Sequence, residues 1–328
     1  MNASSIGVRS GWEVSNVEIY ASNFSGAYAH VNGQSTERVS MLDIVRAIIT
    51  VGAQGPLDLV RHGWRTLLPR LGRALISMAC LQSNRGNWGL AESFHCLEQS
   101  EKATTSYWLG VSFTKLTAER KLGVSWLAYV DHLHSCGVVI TSPGTRKRGD
   151  FLGRDQRGAW HVLESKGRSH NVETRLRRDA KFQATRVDSV NGVCPETRSA
   201  CIVRLFDVPL KIELIDPPSN DDFSTVSWKI DEPGYFQDYY RPFIDHLSGS
   251  HTQTEVFAEL AFEVADAELY GQSVRVGLPK EIYEHPSRAP EVTAMLIRNL
   301  EQESDAKVSI GADGILFAGV LPQSREVG

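Results

Sequence analysis

The sequence predicts an α/β protein, a mixed sheet flanked by helices, and three observations predict it. Residues 105–122 carry Leu109, Phe113 and Leu116 on one helical face and stop at Gly123. The run "VSWLAYV" that follows is short, aromatic and almost wholly apolar, as a buried strand is. Beyond it, two strand-like segments flank "QRG", and a basic helical stretch then leads into the apolar run "ACIVRLF" at 200–206. The expected order is helix, strand, β-hairpin, helix, strand.

From the N-terminus, a Gly- and Ser-rich opening gives way to residues 38–82, where three- and four-residue spacing of Leu57, Val60, Trp64, Leu67, Leu68, Leu71, Leu75 and Met78 predicts amphipathic helix. Pro56 suits a first helical turn, and Pro69 is expected to kink or break the helix. "SNRGNWG" reads as a loop. After the helix at 105–122 and its strand, "GVVIT" is expected to continue that strand or to form a second short one, and "SPGTRKRG" is expected as a loop.

The hairpin is expected from residues 150–155 and 159–166. A three-residue loop of Gln156, Arg157 and Gly158, with glycine in the left-handed last position, pairs Asp155 with Ala159 and so sets Asp150 opposite Glu164. Strand alternation then puts Trp160, Val162, Glu164 and Lys166 on one face. Residues 171–191 read as a basic helix. Past residue 208 the chain turns acidic and Pro-punctuated, with helices expected at 252–269 and near 290–303 and a strand pair in "AKVSIGADGILFAGV". The regions are thus 1–100, mainly helical; 101–207, the core; and 208–328, an acidic α+β accessory region.

A chain of 328 residues, 41% hydrophobic and 23% charged, is ordinary for a globular protein of roughly two domains. "MNASSIGVRSGWEV" lacks a signal-peptide apolar run, no window approaches a membrane span, and five scattered cysteines suit a reducing compartment. A soluble, cytoplasmic protein is therefore expected. Net charge is −4, but the charge is segregated: residues 146–186 hold twelve Lys or Arg against five Asp or Glu, leaving 23 basic and 34 acidic residues elsewhere. A basic segment of this kind holds phosphates, or is merely a solvated face.

Opposed residues of a strand pair bring their Cβ atoms to about 4.5–5.5 Å, so Asp150 and Glu164 are placed to share one cation. Magnesium takes oxygen ligands, commonly one or two carboxylates with water and phosphate. A neighbouring lysine can then orient the attacking water or stabilise charge developing on phosphorus. Against this stands a solvated salt bridge of Glu164 with Lys166 beside a strand-start aspartate, worth well under ~1 kcal/mol.

"GD" at 149–150, a gap and "ESK" at 164–166 resemble the PD-(D/E)XK nuclease superfamily, and the element order over about residues 101–207 is similar to that family's restriction-endonuclease-like core. The resemblance implies Asp150 and Glu164 as metal ligands, the Ser165 backbone carbonyl as a third, and Lys166 as the catalytic lysine. It implies Mg²⁺ as cofactor, with Mn²⁺ a substitute, and phosphodiester hydrolysis in nucleic acid, DNA foremost, in settings such as restriction, defence, repair or mobile elements. Gly149 departs from the family's proline. Glu119 on the first helix and Gln183 or Lys181 on the second are the accessory candidates. Arg146, Lys147, Arg148, Arg168, Arg175 and Arg178 are the expected nucleic-acid contacts. The terminal regions are expected to serve a second copy or a protein partner. The rival from another class is a catalytically silent nuclease-fold module that binds nucleic acid or acts as a scaffold.

Other motifs carry less. "DHLHSC" aligns His132, His134 and Cys136 if extended, but a structural zinc site needs four ligands and no second cluster accompanies it. Asp131 reads as a turn residue or a further neighbour of the carboxylates. No G-X-S-X-G elbow, phosphate loop or dinucleotide fingerprint is present.

Overall fold

The computed structural model describes residues 13–51, 67–135, 139–141, 149–216, 226–269, 272–300 and 308–320. Its N-terminal part is β1 (Val14–Ser22), β2 (Gly33–Ser40), α1 (Met41–Val51), α2 (Leu67–Ala79), β3 (Leu81–Asn84), β4 (Asn87–Leu90) and α3 (Glu92–His95). The middle follows as α4 (Gln99–Leu122), β5 (Val124–Tyr129), β6 (Val139–Thr141), β7 (Phe151–Asp155), β8 (Trp160–Arg168), α5 (Thr174–Thr185), β9 (Val187–Val190), β10 (Thr197–Arg204) and β11 (Lys211–Ile215). The C-terminal part is β12 (Val226–Lys229), α6 (Glu232–Ser248), β13 (Gln253–Phe257), β14 (Leu260–Leu269), β15 (Gln272–Pro279), α7 (Lys280–Glu284), α8 (Ala289–Leu300), β16 (Val308–Ile310) and β17 (Leu316–Val320).

A mixed nine-stranded sheet runs β3-β4-β1-β11-β10-β8-β7-β5, with β2 paired to β1. It draws strands from all three sequence regions. Within it, β5, β7 and β8 are antiparallel neighbours and β8 runs parallel to β10 across the crossover helix α5. A three-stranded sheet (β6-β12-β9) and a five-stranded sheet (β13-β14-β15-β17-β16) account for the other strands among the described residues. One hydrophobic cluster joins Val17 and Ile19 of β1 to Phe317 of β17 through Phe113, Trp126 and Tyr240.

Helices cover both faces of the large sheet. The capping box of Glu98 and Glu101 opens α4, and Gly123 at φ +67° closes it. Its middle lies directly on β8: a Cβ on Gly110 would fall 2.5 Å from Gly167 N, so glycine at both positions permits the approach. On the opposite face, Val172 and Leu176, Ala180 of α5 pack on Ala200 and Ile202 of β10. The result is a helix–sheet–helix sandwich around β8.

Several expectations are corrected. Residues 38–40 end a strand, and Pro69 is the third residue of α2 as described, residues 52–66 before it lying outside the described residues. Leu57, Val60 and Trp64 lie outside the described residues. "SNRGNWG" is a hairpin, with Arg85 and Gly86 both at positive φ between β3 and β4. The basic helix ends at Thr185, and β9 follows. Residues 252–269 form the β13–β14 hairpin, not a helix: Phe262 and Val264 alternate inward, and Ala258 and Glu259 turn with positive φ. "DHLHS" is 3₁₀ helix (Val130–Ser135) instead of extended chain, and Cys136 lies outside the described residues. The α8 helix and the β16–β17 pair match expectation. No helix among the described residues is long and apolar enough to cross a membrane.

Candidate active site

The hairpin turn sets the site. Asp155 N–H donates to Ala159 O at 3.1 Å, Gly158 N–H donates to Asp155 O at 3.1 Å, and Gly158 adopts φ +82°. The Asp155 carboxylate accepts from the N–H groups of Arg157 (2.9 Å) and Ala159 (2.8 Å), fixing the loop from inside. The ladder then pairs Arg154 with Trp160, Gly153 with His161, Leu152 with Val162 and Phe151 with Leu163. One further step sets Asp150 opposite Glu164, the register the turn predicts.

Two hydrogen bonds close that step. Asp150 N–H donates to Glu164 Oε2 at 3.2 Å, and Ser165 N–H donates to Asp150 Oδ2 at 3.2 Å. Lys166 Nζ donates to Glu164 Oε1 in a close ion pair. Ser165 points the other way, its hydroxyl 2.8 Å from Thr114 Oγ1 on α4, so the strand is held from behind. Gly149 has a packing cause: a Cβ there would fall 2.6 Å from Val162 Cγ1, which glycine avoids and proline would not.

Burial dominates the electrostatics. Glu164 is fully buried, and burial followed by the charge of Asp150 pushes its carboxyl up to about 8, against the pull of Lys166. Burial also raises Asp150; Lys166, the Ser165 N–H and a hydrogen bond with Glu164 oppose it, and the charge of Asp131 adds to the rise. Two carboxylates sharing one buried place, with a single ammonium between them and solvent, form a locus where a cation is favourable. Oxygen donors of this kind suit a hard divalent ion, which commonly takes one or two carboxylates and completes its shell with water. Among the described residues no three His, Cys, Asp or Glu side chains cluster as a larger cage.

Two tyrosines that sequence reasoning missed border the site. Tyr129, the last residue of β5, stacks edge-on against Phe151 at 5.3 Å and hydrogen-bonds with Tyr107 of α4. Burial and then the nearby Asp150 charge push Tyr129 up to about 12, and burial leads the rise of Tyr107 as well, with Asp150 contributing. The only sequence signal was position: a polar-tipped aromatic at the end of an apolar strand beside the carboxylate strand.

The remaining candidates divide. Glu119 does not join the carboxylates. It accepts from both terminal nitrogens of Arg46 at 3.3 Å and from Ala312 N–H at 3.0 Å, with Lys115 3.5 Å away. Burial would raise Glu119, but Arg46 and Lys115 outweigh it and hold the carboxyl down to about 2. Lys181 and Gln183 lie half-buried on α5, over the sheet face that carries Glu164 and Lys166, and neither side chain hydrogen-bonds to the three central residues. Arg168 ends β8; Arg175 and Arg178 are exposed on α5 beside Asp179. Arg146, Lys147 and Arg148 lie outside the described residues, as do the side chains of His132 and His134. No family model, no curated protein and no solved structure matches the chain.

Proposed function

We propose that the chain is a metal-dependent nuclease of restriction-endonuclease-like fold that hydrolyses phosphodiester bonds in nucleic acid, DNA foremost. The observation that carries the reading is the convergence of Asp150, Glu164 and Lys166 at one register step of the β7–β8 hairpin. The β5-β7-β8-β10 order, with α4 on one face and α5 on the other, is what such a core requires.

In this reading Asp150, Glu164 and the Ser165 carbonyl hold Mg²⁺, with Mn²⁺ a substitute. The bound ion supplies Lewis acidity and a water of lowered pKa. The protein's own share is positional. The Asp150 carboxylate accepts from the Ser165 backbone N–H and the Glu164 carboxylate from the Asp150 backbone N–H, so each is oriented by the facing strand. Lys166 keeps its ammonium at the solvent edge of Glu164, where it orients the attacking water and balances negative charge as oxygen adds to phosphorus and the ester oxygen departs. Arg168, Arg175 and Arg178 hold the backbone that flanks the cut.

A second reading has its own support. The Lys166–Glu164 ion pair satisfies a carboxylate oxygen that a metal would otherwise take, as in a silent nuclease-fold module that binds nucleic acid or a partner. Incubation of the purified protein with plasmid, linear and single-stranded substrates and Mg²⁺ or Mn²⁺ separates the two. Cleavage that Asp150→Ala and Lys166→Ala both abolish supports the nuclease; no cleavage by the wild type supports the silent module.

A further inference from the structure

Strand register carries the catalytic face far beyond the hairpin. Lys166 is the partner of Ile202, Ile202 of Glu213, Glu213 of Tyr20, and Tyr20 of Gln34, a single row across β8, β10, β11, β1 and β2. With strands about 4.8 Å apart, Tyr20 lies about 14 Å along the sheet from Lys166. Helix α5 covers the row at Ile202. The next row places Arg168, Arg204 and Lys211 side by side on consecutive strands of the same face.

Beyond α5 the face is open and forms a groove of about 650 Å³ lined by Tyr20, Gln34, Arg204, Lys211 and Glu213, among others. Its charge is nearly balanced. Glu213 accepts from Arg177 at 2.7 Å and from Arg204 at 3.3 Å, Asp207 lies 2.8 Å from Arg204, and Tyr20 donates to Glu18 at 2.7 Å. Lys211 has no ion-pair partner among the described residues. The Arg204 guanidinium lies 5.1 Å over the ring of the partly exposed Phe206. Donors, acceptors and an aromatic ring in one groove are the chemistry that meets a nucleobase, while the basic row leading to it meets phosphate.

We propose that this groove is a subsite for a single-stranded polynucleotide, whose backbone crosses Arg168, Arg204 and Lys211 and whose base lies against Tyr20. The proposal rests on the nuclease reading for its direction, since the row begins at Lys166. It makes the protein a single-strand binder that grips its substrate a few nucleotides from the cut.

Fluorescence anisotropy of a labelled oligodeoxyuridylate, and of the matching oligouridylate, which differs from it at the sugar 2′-hydroxyl alone, measured in EDTA so that no strand is cut, tests it. Tyr20→Ala is expected to weaken binding between about fivefold and a hundredfold, the range for losing one stacked base, and Lys211→Glu to weaken it with a reduced salt dependence. Whichever oligonucleotide binds more tightly names the sugar. Thermal denaturation of both variants separates a lost contact from a lost fold, and Gln34→Ala, at an exposed strand position, gives a third variant of small structural cost. Affinities within about twofold of wild type for all folded variants overturn the groove. If they bind and cut like wild type, the groove fails and the nuclease stands; if wild type binds through the groove but cuts nothing with Mg²⁺, the nuclease fails and the groove stands.

Discussion

Asp150 and Glu164 bond to each other through the backbone of the first: the Asp150 N–H donates to Glu164 Oε2 at 3.2 Å. This bond and that from Ser165 N–H to Asp150 Oδ2 aim the two carboxyl groups at each other, so strand register gives the site its shape. Everything that fixes this shape, from the Asp155-filled turn to the glycines under β8, is open to mutation.

The turn comes first. Gly158 holds φ +82°, and a Cβ there would lie 3.2 Å from Arg154 Nη2. Gly158→Ala is expected to cost about 1–2 kcal/mol. A urea titration reads this as a lower midpoint with an unchanged slope.

The helix–strand approach is less forgiving. Gly110→Val forces a branched side chain against the Gly167 backbone, and an overpacked contact costs about 1–3 kcal/mol or more. Thermal unfolding should shift down by several degrees, and cleavage should fall with it as β8 is displaced. An unchanged melting temperature would mean that α4 does not sit on β8 as described.

Glu164 gives a pH dependence of definite sign. Its carboxyl is raised from an ordinary 4.5 to about 8, so between those values the folded state keeps a proton that the unfolded chain has lost. Stability from this group is full below pH 4.5 and drains away as pH rises towards 8, by about 1.4 kcal/mol per pH unit at most. Glu164→Gln, neutral at every pH, is therefore expected to be more stable than wild type at pH 8 and close to it at pH 5. Denaturant titrations at the two pH values check this, and a less stable variant at pH 8 would contradict it.

The Glu119 network makes the opposite prediction for a buried acid. Lys115 lies 3.1 Å from Asp313 and 3.5 Å from Glu119, with Arg46 completing the group and Tyr239 donating to Asp313 at 2.6 Å. Removing one member strands a buried charge, so Glu119→Ala should cost about 3–5 kcal/mol. Circular dichroism during heating reads the loss. Activity of the folded fraction should remain, because Glu119 does not touch the carboxylate pair.

Local chemistry explains what could be read in advance. A glycine forced into the left-handed position of a three-residue turn fixes the β7–β8 register by itself, so Asp150, Glu164 and Lys166 were legible as a group. Glu119 sat on the right helix but about 13.5 Å, nine residues, beyond the Gly110 contact, and no spacing rule shows that Arg46 would claim it. Strands β1 and β2 had a local signal that was missed, since Val17, Ile19 and Ala21 alternate inward along β1 and β2 pairs with it as an antiparallel neighbour; only the pairing of β1 with β11 near residue 211 lies beyond a local window. In 253–269 the alanines and glutamates favour helix locally, and burial of Phe262 and Val264 on a sheet face decided otherwise.

The decisive measurement is the single-turnover cleavage rate of labelled DNA with Mg²⁺, compared between wild type and Lys166→Ala that has been shown to be folded. The site as described predicts metal-dependent cutting by the wild type and a loss of about a hundredfold or more in the variant. Cutting at the wild-type rate by Lys166→Ala would contradict it.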